Sequence, residues 1–76
     1  MTKGEYRVGV SFNPGGHSQV DGVKQITAGL IDEMEQLKTE NCMDHQESSR
    51  CAAIAQTKYE EACMWAVKAI TKPKEE

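Results

Sequence analysis

The apolar positions fall into distinct patterns along the chain. Over residues 6–12, YRVGVSF, the large or branched Tyr6, Val8, Val10 and Phe12 alternate with Arg7, Gly9 and Ser11. That is the two-residue period of an extended segment with one buried face. A lone strand needs a neighbour, so this segment is expected against a helix or a second subunit. Further on, Val20, Val23, Ile26, Leu30, Met34 and Leu37 recur at intervals of three or four, with Thr27 and Ile31 on the shoulders, on one side of a helix reaching about Thr39. Asp32, Glu33, Glu35 and Lys38 fall largely outside that stripe. A last pattern, HQESSRCAAIAQTKYEEACMWAVKAIT, has an apolar side of Cys51, Ala55, Tyr59 or Lys58, Ala62, Trp65 or Ala66, and Ala69, broadened by Ile54, Met64 and Ile70.

The breaks between these patterns carry turn and capping chemistry. In NPGGHS, Pro14 biases Asn13 away from helix, while Gly15 and Gly16 allow turn conformations closed to other residues. A first helix is predicted over 17–40, starting at His17 or Ser18, with Ser18 and Asp21 a weaker relative of the capping box. Gly22 and Gly29 lie inside it and each costs about 1 kcal/mol relative to Ala. They are either tolerated or closely approached by a neighbour. Asp44 and Glu47 have capping-box spacing, so a second helix is predicted over 45–71, stopped by Lys72 because Pro73 cannot continue it. At 1.5 Å per residue it is about 40 Å long.

The predicted fold is all-α. An antiparallel two-helix hairpin follows a short extended N-terminal arm and turn (1–16), the whole of 1–76 forming one domain. A chain of this size buries only about 60% of the surface that its unfolded form exposes. Each long helix also keeps a second face open, so assembly into a homo-oligomeric helical bundle is expected. The small side chains of the second helix allow close helix approach. Val23, Leu30, Tyr59, Ala62, Met64, Trp65 and Ala69 are the candidate structural or interface positions.

Composition narrows the function. The net charge is −3, which disfavours sequence-independent binding to long nucleic acid, because neutralising many phosphates calls for a basic surface. No apolar stretch approaches the roughly 20 residues of a membrane span, and MTKGEYRV lacks the apolar run of a signal peptide. The Cys42, Cys51 and Cys63 thiols form no CxxC pair and are expected to be free. His17 and His45 belong to no metal motif, and no nucleophile, base and orienter share a recognisable spacing. No catalytic residue, metal or cofactor is therefore expected.

A small anionic ligand needs only a few local groups. The backbone amides of NPGGHS, entering a helix start, have the chemistry to hold an oxyanion, although two glycines equally make an ordinary turn. Lys24 lies within reach of that start. Phe12 and Tyr6 offer rings on which bases stack, or core side chains. Arg50 and Thr57, seven residues apart, share a helix face and would offer a guanidinium fork and a hydroxyl. For Trp65 the residues favour a core or interface anchor over ligand contact.

The stretch RCAAIAQTKYEEACMWAVKAI, residues 50 to 70, closely resembles the C-terminal helix of small phage proteins that defeat CBASS immunity by sequestering cyclic oligonucleotides. That family shares its helical hairpin with anti-Thoeris sponges. Arg50, Thr57 and the run Glu60, Glu61, Ala62, Cys63, Met64, Trp65, Ala66, Lys68, Ala69 and Ile70 carry the resemblance, with Tyr59 where the pattern has Leu. Towards the front, Phe12, Pro14, Val23 and Lys24 match more loosely, Phe12 standing where Tyr is frequent. The glycine pair has no counterpart in the pattern.

The resemblance implies a non-enzymatic sponge acting in the cytoplasm of an infected bacterium. It implies a homohexamer that binds cyclic dinucleotides between subunits and cyclic trinucleotides at separate junction pockets. Phe12, Pro14, Gly15, Gly16, Lys24, Arg50 and Thr57 are then the candidate ligand-binding residues. A non-enzymatic helical protein-interaction module is the alternative, since it would share the same amphipathic helices.

Overall fold

The computed structural model describes residues 1–40 and 44–75, and comprises α1 (Lys3–Val8), α2 (Ser18–Leu37) and α3 (His45–Thr71). Among the described residues there is no strand. Helices α2 and α3 form the antiparallel hairpin. The Gln56 Nε2 donates to the Ile31 carbonyl at 3.0 Å, while Val20 near the start of α2 shares a cleft with Val67 and Thr71 near the end of α3. The α3 start is as predicted: the Asp44 side chain accepts from the Glu47 amide at 3.0 Å. Cys51 and Cys63 are free thiols; Cys42 lies outside the described residues.

The N-terminal segment is not extended. Thr2 and Glu5 form a reciprocal capping box, Glu5 N donating to Thr2 Oγ1 at 3.1 Å and Thr2 N to Glu5 Oε1 at 2.7 Å. This satisfies the free donors of a helix start. Gly9, at φ 65°, ends the helix in the left-handed conformation, where Val10 N donates to Glu5 O at 3.0 Å in the manner of a Schellman stop. The alternation over 6–12 is thereby overridden: Tyr6 and Phe12 are exposed, and Val8 and Val10 are half-buried.

Helix α1 runs antiparallel to α2 and meets it backbone to side chain. Gly4 is buried, and a Cβ there would stand 2.0 Å from the Ala28 carbonyl oxygen. Its amide donates to Asp32 Oδ1 at 2.7 Å. Only glycine allows this approach. The other end of α1 reaches α3, where Arg7 pairs with Glu60.

Two neighbours on α2 turn its buried face away from the predicted stripe. Val20, Lys24, Thr27, Ala28 and Ile31 are buried, whereas Ile26 is 69% and Leu30 40% exposed. Asp32 and Glu35, expected outside, bond inward to Gly4 and Gln56. On α3 the inward face is Ala52, Gln56 and Cys63, flanked by half-buried Tyr59, Glu60, Val67 and Ile70. Cys51, Ala62, Met64, Trp65 and Ala69 face out, with Trp65 62% exposed. Trp65 is therefore no part of this chain's core. Among the described residues, and apart from the adjoining turns of α2 itself, nothing comes within 4 Å of a Cβ built at Gly22 or Gly29.

The resulting shape is elongated. Its radius of gyration is 14.5 Å, against about 11 Å for a compact domain of this length. Few residues are enclosed, and the centre of the hairpin is polar: Gln56 is fully buried and donates to both Ile31 O and Glu35 Oε1. The Gln56 amide is the main cause holding the Glu35 carboxyl below its usual range, against partial desolvation and with help from Lys38.

Two outcomes are expected. Gly4→Ala should cost about 1–3 kcal/mol through overpacking and release α1, read as a lower urea midpoint and faster proteolysis near residue 9; wild-type values in both would refute the close approach. Because the folded-state pKa of Glu35 is lowered, its contribution to stability is present above about pH 4.3 and is lost as pH falls through the folded value. Urea titrations between about pH 5 and pH 3 should show a shallower acid loss in Gln56→Met than in wild type, and parallel curves would contradict this.

Candidate functional site

The end of the hairpin near the α2 start is organised by a lysine. Lys24 is 6% exposed, and its Nζ donates to the Gly9 carbonyl at 2.9 Å and, over a short contact, to the Phe12 carbonyl. The same nitrogen lies 5.5 Å from the Phe12 ring centroid, within cation–π range. Between those carbonyls the backbone closes a turn in which Phe12 N donates to Gly9 O at 2.9 Å. The ammonium thus fastens the end of α1 and this turn to α2, and the Phe12 ring is left 70% exposed.

After Phe12 the chain turns again under the control of Asn13. Its Oδ1 accepts from His17 N at 3.2 Å, and its Nδ2 donates to His17 O at 2.7 Å and to Asp21 Oδ1 at 3.0 Å. Ser18 begins α2 without capping it, and His17 makes no side-chain cap. The predicted Ser18–Asp21 box is thus replaced by an Asn13–Asp21 link. The Gly16 amide donates to Asn13 O at 3.0 Å, and Gly16 takes φ 65°, the left-handed form a glycine adopts freely. With the Gly16 and His17 amides engaged inside the loop, the glycine pair serves the turn here.

These elements enclose a cleft of about 330 Å³ lined by Phe12, Asn13, Pro14, Gly15, His17, Val20, Lys24, Val67 and Thr71. Of the candidate ligand-binding residues, Phe12, Pro14, Gly15 and Lys24 line this cleft, and Gly16 does not. Beside it lies a second cleft of about 310 Å³, bordered by Arg7, Val8, Lys24, Glu60, Cys63, Met64 and Val67. Lys24 and Val67 border both.

Arg50 and Thr57 lie elsewhere. Along α3 they stand roughly 25 and 15 Å from Val67 at 1.5 Å per residue. Arg50 is exposed and donates to both Glu47 carboxylate oxygens, at 3.1 and 2.6 Å. This pairing holds the Glu47 carboxyl below its usual range and raises the Arg50 guanidinium. The Thr57 hydroxyl donates to the Ala53 carbonyl of its own helix at 3.3 Å. Within one chain, Arg50 and Thr57 therefore belong to another surface than Lys24.

Sequence reasoning missed Asn13, His17, Val67, Thr71, Arg7 and Glu60. The Thr2-Lys3-Gly4-Glu5 capping box was a legible signal for α1, and with α1 helical Arg7 turns towards α3. Asn13 announced itself only as a turn residue. Among the described residues no group of three potential metal ligands converges, and no helix is long and apolar enough to cross a membrane.

The fold and cleft define a class: a short helical hairpin with a ligand-sized recess where a clamped turn presents an aromatic ring. The family model described as "Acb2/Tad1, hairpin domain" matches residues 4–71. The chain belongs to this family of anti-CBASS and anti-Thoeris nucleotide sponges, and its class of function is non-enzymatic sequestration of cyclic nucleotides. No curated protein and no solved structure gives a match.

Lys24→Met keeps the stem and deletes the ammonium. Loss of about 1–3 kcal/mol is expected as the Gly9 and Phe12 carbonyls lose their charged donor, together with faster hydrogen exchange at the Phe12 amide. Unchanged exchange there would show that the turn holds without the lysine.

Proposed function

We propose that the chain binds cyclic dinucleotides at the Phe12–Pro14–Gly15–Lys24 cleft and that a second copy completes each pocket. The observation that carries this reading is the Phe12 ring, largely exposed on a turn held by a buried ammonium. A stacking face is useful when its ordering cost is met before the ligand arrives. A recess of about 330 Å³ lies at the small end of ligand pockets, which span about 300–1,000 Å³. A cyclic dinucleotide has two bases, and a two-fold axis that pairs two recesses gives each base one ring.

The assembly is proposed to be a homohexamer built through the outward apolar side chains Ile26, Leu30, Ile54, Met64 and Trp65, with Val23, Tyr59, Ala62 and Ala69 at its margins. The exposure of Ile26, Leu30, Ile54, Met64 and Trp65 in the single chain supports a buried role between copies. Arg50 and Thr57 are assigned to a separate pocket for cyclic trinucleotides, consistent with their distance from Lys24. On this reading the protein lowers the free messenger in the cytoplasm of an infected bacterium, and the ligand leaves unchanged.

Native mass spectrometry with a mixture of cyclic di- and trinucleotides reads stoichiometry and ligand together. Intact cyclic dinucleotide is expected on an oligomer, and Phe12→Ala should weaken it by about 1–3 kcal/mol per stacked base in titration calorimetry. Wild-type affinity in Phe12→Ala, or no ligand bound by the wild-type protein, would overturn the assignment.

A further inference from the structure

We propose that two copies of this chain pair through the outer face of α3 in antiparallel register, about a two-fold axis crossing the helix between Met64 and Trp65. Glu61 of each copy then bonds to Lys68 of the other. This rests on the assembly proposed above and assigns one of its contacts.

Glu61, Met64, Trp65 and Lys68 follow one another at three, four and seven residues from Glu61, which sets them on one side of a helix. All four are exposed, and they lie on the side of α3 away from its buried Ala52, Gln56 and Cys63. Together they border a recess of about 340 Å³. Its floor is two adjacent large apolar side chains, Met64 and Trp65, 68% and 62% exposed. An anion stands at one end of the recess and a cation at the other. An apolar patch with a polar rim marks a protein contact.

The arrangement of the four residues points to a second copy as the occupant. They are symmetric about the midpoint between Met64 and Trp65, with Glu61 and Lys68 each roughly 5 Å from it along the axis at 1.5 Å per residue. A copy turned end for end therefore brings its own Lys68 to Glu61 and its own Glu61 to Lys68. The surface is its own complement, as an isologous contact requires. At the axis the two Trp65 rings lie side by side on one flank, where exposed Ala62 and Ala69 leave room, and the two Met64 side chains meet on the other. A parallel pair in the same register would set Glu61 on Glu61 and Lys68 on Lys68, and like charges suppress that alternative.

Neither charge is committed within its own chain. The contact of Glu61 is Lys58 at 3.9 Å, with the side chains 57% and 71% exposed, a solvent-screened pair worth little. Among the described residues no carboxylate pairs with Lys68. Its Nζ lies 5.0 Å from the Trp65 ring centroid, so the ring holds the ammonium at the edge of the patch.

Charge reversal tests the pairing. Sedimentation velocity on the intact wild-type chain, Glu61→Lys, Lys68→Glu and the doubly reversed chain reads subunit number against concentration. Trp65, the one tryptophan, reports its own burial through its emission maximum. Each single reversal sets like charges together at both ends of the contact and should raise the midpoint concentration for assembly at least about tenfold, with red-shifted emission. The double reversal restores opposite charges and should return the midpoint to within about threefold of wild type. An equimolar mixture of the two single variants should assemble where each alone does not, since one carries two lysines on this face and the other two glutamates.

Wild-type midpoints in both single variants overturn the pairing and leave assembly through other faces standing. A double reversal as weak as the singles overturns it as well, because the two residues would then act within their own helix. Should a reversal lose helix by circular dichroism, Glu61→Gln and Lys68→Gln take its place, and wild-type midpoints in both of these overturn the pairing. A wild-type chain that stays monomeric removes both this contact and the assembly proposed above.

Discussion

A lysine ammonium cannot be buried bare, because its desolvation costs far more than a folded chain of this size can spare. Lys24 is buried, and the price is met by the Gly9 and Phe12 carbonyls together with the Phe12 ring. Those acceptors exist only if α1 ends at Gly9 and the chain turns back through Phe12. The ammonium therefore links the end of α1, the following turn and the first third of α2. Everything at that end of the hairpin is arranged around it: the exposed ring, the recess beneath it and the shared wall with the Arg7 cleft.

The middle of the molecule follows the same logic with different groups. Gln56 sits fully enclosed between α2 and α3 and bonds to Ile31 and Glu35, while its Oε1 has no partner among the described residues. Asp32 holds the Gly4 amide where α1 crosses α2. These polar contacts specify the alignment of the helices more than they stabilise it. The apolar surface that would ordinarily do so is turned outward at Ile26, Ile54, Met64 and Trp65. Polar contacts within the chain set the hairpin's register, and on the proposed assembly the outward apolar side chains are left for contacts between copies.

Much of the fold was legible in the residues. The turn chemistry of NPGGHS and the Asp44–Glu47 spacing place the α2 and α3 starts at Ser18 and His45, because capping and proline geometry act over a few residues and need no partner. The run around Trp65 carried the family. The alternation over Tyr6–Phe12 misled, since four apolar positions with period two compete with a capping box and a left-handed glycine, and local hydrogen bonding won. Of the candidate site, Phe12, Pro14, Gly15 and Lys24 were legible as a group near the α2 start. Arg7 and Glu60 were not, being brought together across 53 residues by an ion pair.

The sequence by itself therefore determined where the long helices begin, that they form a hairpin, and which kind of protein this is, while the first of them stops at Leu37, short of the expected residue 40. Only the tertiary structure decided which face of each helix points inward. Helical periodicity reports that a side chain is apolar, without saying whether its neighbour is another helix of the same chain or a second copy. Here the apolar stripe and the buried face differ by about one residue's rotation, roughly 100° at 3.6 residues per turn. That rotation carries Lys24, Gln56 and Cys63 inside and leaves Trp65 out, because a third helix packs across α2 at Gly4 and claims the side that the pattern had left to solvent.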